Sequence, residues 1–211
     1  MREVASNAST AAVSELDEFF EHVLATYCEA RENDTMDSSH PLWSRFREAK
    51  AKIGGLPPLS KRTELIVKWS TGQGVWAKIP WIALLDTRET SFTNDGVYVV
   101  YLFRMDMTGV YLTLNQGVSK KLQRLGTSEG RAFIRSRAVE IREGCQSLTK
   151  HGFKLDNKID LRANHSLGSD YEMATIAYKL YEVKNVPGTR ALTRDLDVVL
   201  GAYDDYLKAN T

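Results

Sequence analysis

Between residues 65 and 114 the apolar pattern changes period, and that change limits what the chain can fold into. Leu65, Val67 and Trp69 alternate with Ile66, Lys68 and Ser70, the two-residue period of a strand. A second apolar run covers residues 79–85, and "VYVVYLFRM" (97–105) and "VYLTL" (110–114) supply a third and a fourth around a turn at 106–109. Four successive strands joined by short loops predict a largely antiparallel sheet.

Helical spacing flanks this region. Residues 14–31 set Leu16, Phe19, Phe20, Val23, Leu24 and Tyr27 on one face, with Ser14 placed as N-cap. Residues 33–39 read as a polar loop, and a short helix after Pro41 buries Leu42, Phe46 and Ala49 before Gly54-Gly55-Leu56-Pro57-Pro58 stops it. Residues 119–125 and 128–143 are predicted helices, the second turning Phe133, Ile134, Ala138 and Ile141 inward. Residues 144–168 are irregular, and 170–182 fit either helix or strand. A last helix over 192–207 carries the stripe Leu192, Leu196, Val199, Leu200, Tyr203 and Leu207. The expectation is a single α+β domain over residues 1–211 with 1–13 flexible. Its central sheet has about four to five strands, largely antiparallel or mixed, flanked by helices.

A chain of 211 residues, 43% hydrophobic and 26% charged, is long enough to bury a proper core and has the balance of a soluble globular protein. No apolar run reaches membrane-spanning length, and residues 1–15 lack the basic and apolar regions of a secretory signal. Cys28 and Cys145 have no metal-type spacing and suit buried thiols in a reducing, cytoplasmic setting. The net charge of +1 conceals segregation. Residues 43–82 hold eight Lys/Arg against two Asp/Glu, and 119–165 hold eleven against five, whereas 1–40 hold two against nine. Two basic segments suit an anionic partner such as a phosphate backbone, or are simply solvated helix faces.

Several chemistries are excluded by motif. There is no G-x-x-x-x-G-K-[ST] phosphate loop, no G-x-S-x-G and no H-E-x-x-H. His22 and His40 do not read as ligands, and His151 and His165, in basic surroundings, suit phosphate contacts better than a metal. Asp170 with Glu182-Val183-Lys184 has the D…E-x-K order of a Mg²⁺-dependent nuclease, an enzymatic alternative that requires residues 176–183 to be a strand.

"GQGVWAKIPWIALLD" (72–86) followed by "GVYVVYLFRMDMTGVYLTLNQG" (96–117) resembles the MrcB-like N-terminal domains, the DNA-recognition domains of the McrB modified-cytosine restriction system. "NVPGTRALTRDLDVVLGAYDDYL" (185–207) resembles their closing helix, so the likeness covers about residues 60–207. The resemblance implies a non-enzymatic domain that binds double-stranded DNA carrying 5-methylcytosine or a related modified cytosine. It implies no cofactor, metal or catalytic residue, and no membrane. A nuclease or nucleotide-hydrolysing effector would act as partner. The base would be flipped from the duplex, at a cost of about a few kcal/mol for unstacking. A wedge then fills the gap and an aromatic pocket receives the base.

In the resemblance the wedge is the loop Gly72, Gln73, Gly74, and the pocket is formed by Trp81, Tyr98 and Leu102. Tyr98 and Leu102, four residues apart on one strand face, would serve equally as core. Gln73 replaces the tyrosine of McrB and Val75 a frequent asparagine. Trp76 and Trp69 read as structural, one bracing the loop and one in the core. Lys68, Lys78, Arg88, Lys120, Lys121 and Arg124 flank the motifs as candidate phosphate contacts.

Overall fold

The alternating and continuous apolar runs close into a five-stranded meander. In the computed structural model, which describes residues 16–210, β1 (Leu65–Gly72), β2 (Trp76–Asp86), β3 (Val97–Phe103), β4 (Gly109–Gln116) and β5 (Thr175–Glu182) lie side by side in sequence order. Every neighbouring pair is antiparallel, so the sheet is not mixed. The register sets Trp81 opposite Leu102, Leu102 opposite Tyr111, and Tyr98 opposite Asn115. The ambiguous stretch resolves into two elements, helix α5 (Ser166–Ala174) running directly into β5. Strand β3 ends at Phe103, two residues before the expected Met105, because the Arg104 amide bonds back to Gly109 O and the Met105 amide goes to Leu161 O.

All residues of β3 and β4 are buried, so both faces of the sheet are covered at its centre. One face turns Val99, Tyr101, Phe103, Leu112 and Leu114 toward α1 (Leu16–Asn33), α2 (Pro41–Gly54) and α6 (Thr189–Asn210). Their expected stripes are buried as read, from Phe19, Phe20 and Tyr27 on α1 to Leu196, Leu200 and Tyr203 on α6. The other face carries Ala83, Leu85, Tyr98, Val100, Leu102 and Tyr111 and packs against Ile159, Leu161, Ala163 and Tyr171. That second cover reaches across β3 to β5 but leaves Ile66, Lys68, Ser70 and Trp81 only half-buried. Helices α3 (Ser119–Leu125) and α4 (Thr127–Gly144) follow β4, and a short 3-10 turn spans Gln146–His151.

Phe133 does not point inward; it is 40% exposed. The buried stripe of α4 is Gly130, Ile134, Ala138 and Ile141, and Phe133 lies one residue, about 100° of helix rotation, off that stripe. Its ring instead receives the Lys121 ammonium at 5.3 Å. Cys28 and Cys145 are both free thiols; burial pushes Cys145 up to about 11, so it stays protonated at neutral pH. Among the described residues no helix is long and apolar enough to cross a membrane. The expected flexible stretch 1–13 and the Ser14 cap lie outside the described residues.

The first and last helices are joined at their starts. Thr189 Oγ1 accepts from the amides of Leu16 at 3.0 Å and Asp17 at 3.2 Å, and its hydroxyl donates to the Asp17 carboxylate. A hydroxyl more than 170 residues away in sequence thus caps α1. Thr189→Ala should lower unfolding free energy by about 0.5–2 kcal/mol, the usual cost of a lost cap. A urea titration with unchanged slope and a lowered midpoint is the expected result; an unmoved midpoint would mean water replaces the cap without loss.

Candidate functional site

The hairpin between β1 and β2 has a fixed root and a bare tip. The Tyr27 hydroxyl sits 3.1 Å from Thr71 O and 2.9 Å from Ala77 O, bridging both strands at the base of the loop. Trp76 Nε1 donates to Asp34 O at 2.9 Å, and Arg31 donates to Met105 O at 2.8 Å and Lys78 O at 3.4 Å. Trp76 therefore braces the loop, while Trp69 packs edge-on to Trp43 and against Phe46. Gly72 is at φ +121°, and a Cβ there would meet Val75 O at 1.9 Å, so no other residue closes this turn. Beyond it Gln73, Gly74 and Val75 are exposed.

On the half-open face of the sheet, Trp81, Tyr98 and Leu102 line one small cavity. Thr93, Val100, Asn115 and Tyr171 complete it. The meander accounts for most of this convergence, since Trp81 opposes Leu102 across β2–β3 and Tyr98 opposes Asn115 across β3–β4. Tyr98 donates its hydroxyl to Thr93 O at 2.9 Å, which pins the β2–β3 loop over the strands. Asn115 Oδ1 accepts from the Gln116 amide at 2.7 Å, and its Nδ2 donates to Thr175 Oγ1 at 3.3 Å. Burial raises both the Tyr98 and Tyr171 phenols, so they stay neutral donors at physiological pH. The cavity holds about 20 Å³, room for one water. A planar base enters only if a wall moves, and the walls that are not strands are Thr93 on its loop and Tyr171 on α5.

Next to this cavity lies a cleft of about 460 Å³ lined by Asp95, Lys120, Lys121, Gln123 and Arg124. Three of the expected phosphate contacts thus share one surface. Asp95 faces them, 3.5 Å from the Lys120 ammonium and 3.7 Å from that of Lys121. The cleft and the cavity share the loop that carries Thr93 and Asp95. Gly117 permits that arrangement: a Cβ there would stand 2.1 Å from Asp95 N, and its amide donates to Gly96 O at 2.8 Å. The sequence "LNQG" therefore reads as core (Leu114), cavity wall (Asn115), a tie from Gln116 Nε2 to Ile134 O on α4, and a bare backbone for the loop.

The other expected contacts are dispersed. Lys68 donates to Ser91 O at 2.7 Å and lies 4.9 Å from the Phe92 ring, holding the β2–β3 loop. Arg88 grips buried Asp86 through two bonds of 2.9 and 2.7 Å, which holds the Asp86 carboxyl below the usual range. Lys78 is exposed beside the hairpin. His165 caps α5, its Nδ1 accepting from Gly168 N at 3.3 Å. Burial first, and Lys78 second, push its pKa down, so it stands as a neutral cap and not as a cationic phosphate ligand. His151 is exposed at the end of the 3-10 turn.

The nuclease order is not assembled. Residues 176–183 do lie in or next to a strand, but Asp170 turns to Arg131 on α4, at 3.0 Å from Nε and 2.9 Å from Nη2. Glu182 and Lys184 are exposed at the C-terminal end of β5. No group of three or more His, Cys, Asp or Glu side chains able to hold a metal occurs among the described residues.

An antiparallel meander with one helical face, a small aromatic cavity on the other and a basic cleft alongside defines an α+β domain built around a sheet-face site. The chain belongs to the family of MrcB-like N-terminal domains: the family model matches residues 22–208, nearly the whole chain. This is the family of DNA-binding domains of McrB-like proteins. No curated protein sequence matches the chain.

Thr93, Asn115, Tyr171, Asp95 and Gly117 were not singled out by sequence. Asn115 and Gly117 lie within a quoted motif; Tyr171 was hidden in the stretch that fits helix or strand. Gly117→Ala should push the 94–96 backbone off the sheet and cost about 1–3 kcal/mol, as overpacking does. Hydrogen exchange should show lost protection at Gly117 and Lys120, whose amides bond to that loop. Unchanged protection at both would show that the loop does not depend on the glycine.

Proposed function

We propose that this domain binds duplex DNA carrying 5-methylcytosine or a related modified cytosine and draws that base out of the stack. The base would enter the cavity of Trp81, Tyr98 and Leu102. The observation that carries the reading is the convergence of those three side chains, with Asn115 and Tyr171, beside a cleft of three cations. Trp81 supplies a stacking face, Leu102 an apolar surface for a methyl group, and Asn115 a polar side chain at a base edge. Gln73 at the hairpin tip enters the duplex, its amide toward the orphaned guanine. Lys120, Lys121 and Arg124, with Lys78 and Lys68, hold phosphates; Arg88, committed to Asp86, contributes least. Admission of the base displaces Tyr171 or the Thr93 loop, so binding is an induced fit. The domain acts as a reader without catalysis, and a nuclease or nucleotide-hydrolysing partner would supply cleavage. A cytoplasmic setting, in which Cys28 and Cys145 stay reduced, suits such a role.

Titration of matched duplexes with and without one modified cytosine, at fixed salt, tests the reading. Trp81→Ala removes a stacking surface of about 1–3 kcal/mol, so preference for the modified duplex should fall by between about fivefold and about 150-fold. The log–log salt slope, set by phosphates, should stay the same. If affinity for both duplexes falls together with stability and the ratio is unchanged, Trp81 is core and the reading fails.

Asp95 is the one carboxylate in the basic cleft, and it competes with a phosphate for Lys120 and Lys121. Asp95→Asn should tighten modified and plain duplexes alike by several-fold, whereas Lys120→Ala with Lys121→Ala should weaken both and flatten the salt slope by roughly 0.9 per lost contact. An effect confined to one duplex would move these residues from the backbone to the base.

A further inference from the structure

Phe92 is the most exposed aromatic side chain among the described residues, with 62% of its surface open, yet it is firmly held. Its amide donates to Thr90 Oγ1 at 3.1 Å, and the Thr90 hydroxyl donates back to Phe92 O at 2.9 Å. On one side Lys68 Nζ bonds to Ser91 O at 2.7 Å and lies 4.9 Å from the Phe92 ring. On the other side Tyr98 bonds to Thr93 O at 2.9 Å, and Thr93 walls the cavity. Both anchors, Lys68 and Tyr98, rise from the face of the sheet that carries the cavity. Lys68 is two residues from Ser70, which pairs with Trp81. The ring is thus presented at the rim of the cavity on a loop fixed before and after it, and it buries little against its own fold. A single exposed ring is ordinary on a protein surface; what marks this one is that its loop is pinned on both sides of it, next to a residue that walls the cavity.

We propose that Phe92 is the stacking filler of this domain: its ring enters the duplex where the modified base has left. The proposal rests on the base-flipping reading above. A vacated step is a flat slot between two base pairs; apolar side chains, aliphatic or aromatic, wedge into such steps, and an aromatic ring also stacks on the pairs above and below it. Gln73 is the residue at the hairpin tip, but its amide is polar and has no ring to stack. Phe92 is one residue from the cavity wall. The division of labour is then a hydrogen-bonding finger at Gln73 and a stacking plug at Phe92, with Lys68 stiffening the plug and bringing a cation to the phosphate beside it.

The test separates the plug from the receptacle by using a duplex with an abasic site at the target position, where the slot exists and no base enters the cavity. Three variants are compared with the intact protein on the abasic, modified-cytosine and plain duplexes at one salt concentration: Phe92→Ala, Gln73→Ala and Trp81→Ala. Phe92→Ala should lose about tenfold on both the abasic and the modified duplex. Phe92→Trp should restore that loss and Phe92→Leu should not. Gln73→Ala should cost less than threefold on the abasic duplex, and Trp81→Ala should lose only its preference for the modified one. Because Phe92 is exposed, the variants should melt with the parent, and a melting curve checks this. If Phe92→Ala stays within twofold of the parent on the abasic and modified duplexes while Trp81→Ala loses preference, flipping stands and Phe92 is not the plug. If Gln73→Ala produces the larger abasic loss, the tip is the plug. A loss with Phe92→Ala that Phe92→Leu repairs replaces stacking with apolar contact and overturns the proposal as well. If 2-aminopurine beside the target does not brighten on binding to the parent protein, the flipping reading fails, and an abasic loss with Phe92→Ala then marks insertion without extrusion.

Discussion

Two central strands buried along their whole lengths oblige the rest of the chain to cover both faces of one sheet. The cover is unequal. Three helices with long apolar stripes close one face, and their hold is reinforced by polar ties such as Thr189 to the start of α1 and Tyr203 Oη to Val97 O at 2.7 Å. The opposite face is roofed by an irregular segment around residues 153–165 and by the short α5, enough for β3 to β5 and for Ile79, Ala83 and Leu85 of β2, but not for β1 or for Trp81. The site occupies the line where that roof stops. Trp81 is half-buried there because one side of it is core and the other has no lid.

Charge has two uses in this chain, and only position tells them apart. Arg142 gives its guanidinium to the carbonyls of Ile176, Thr175 and Asp156, and burial pulls its pKa down. Arg104 is buried among Asp160 O, Thr108 and the Tyr111 hydroxyl, and Arg62 is bonded to Asp204. Arg142 and Arg104 thus staple irregular backbone to the sheet, and Arg62 ties the segment after α2 to α6. The lysines at the start of α3, in contrast, line an open cleft with Asp95 as their counter-ion. A count of eleven basic residues in one segment cannot distinguish stapling from docking.

Much of the fold was legible because period is a local property. The α1, α2 and α6 stripes and the first four of the five strands follow from residue spacing, and the end of α2 from its glycine pair. The cavity residues Trp81, Tyr98 and Leu102 were legible through a motif and meet because antiparallel register forces them together. What stayed hidden depends on distant partners. Residues 170–182 fit either period, and only pairing with β4 makes their second part a strand, so Tyr171 could not be placed. Phe133 sits next to Ile134 in an apolar stretch, and a choice between neighbours depends on what α4 packs against. Asp95 shows no sign in sequence of facing two lysines, because the backbone approach at Gly117 brings it there.

The cavity's small size has a kinetic meaning. A reader travelling along DNA meets plain base pairs far more often than its target, and any pocket that stood open would catch on each of them. On the proposed reading the receptacle is this cavity, shut by Tyr171 and by a loop that Tyr98 and Lys68 hold down, so that contact with the backbone would be made and broken without engaging the bases. Opening it is a separate and slower act. A reader so built would divide its work in time, with a fast electrostatic search and a rare commitment, and the threshold between them would be set by how tightly one tyrosine and one ten-residue loop rest on the sheet.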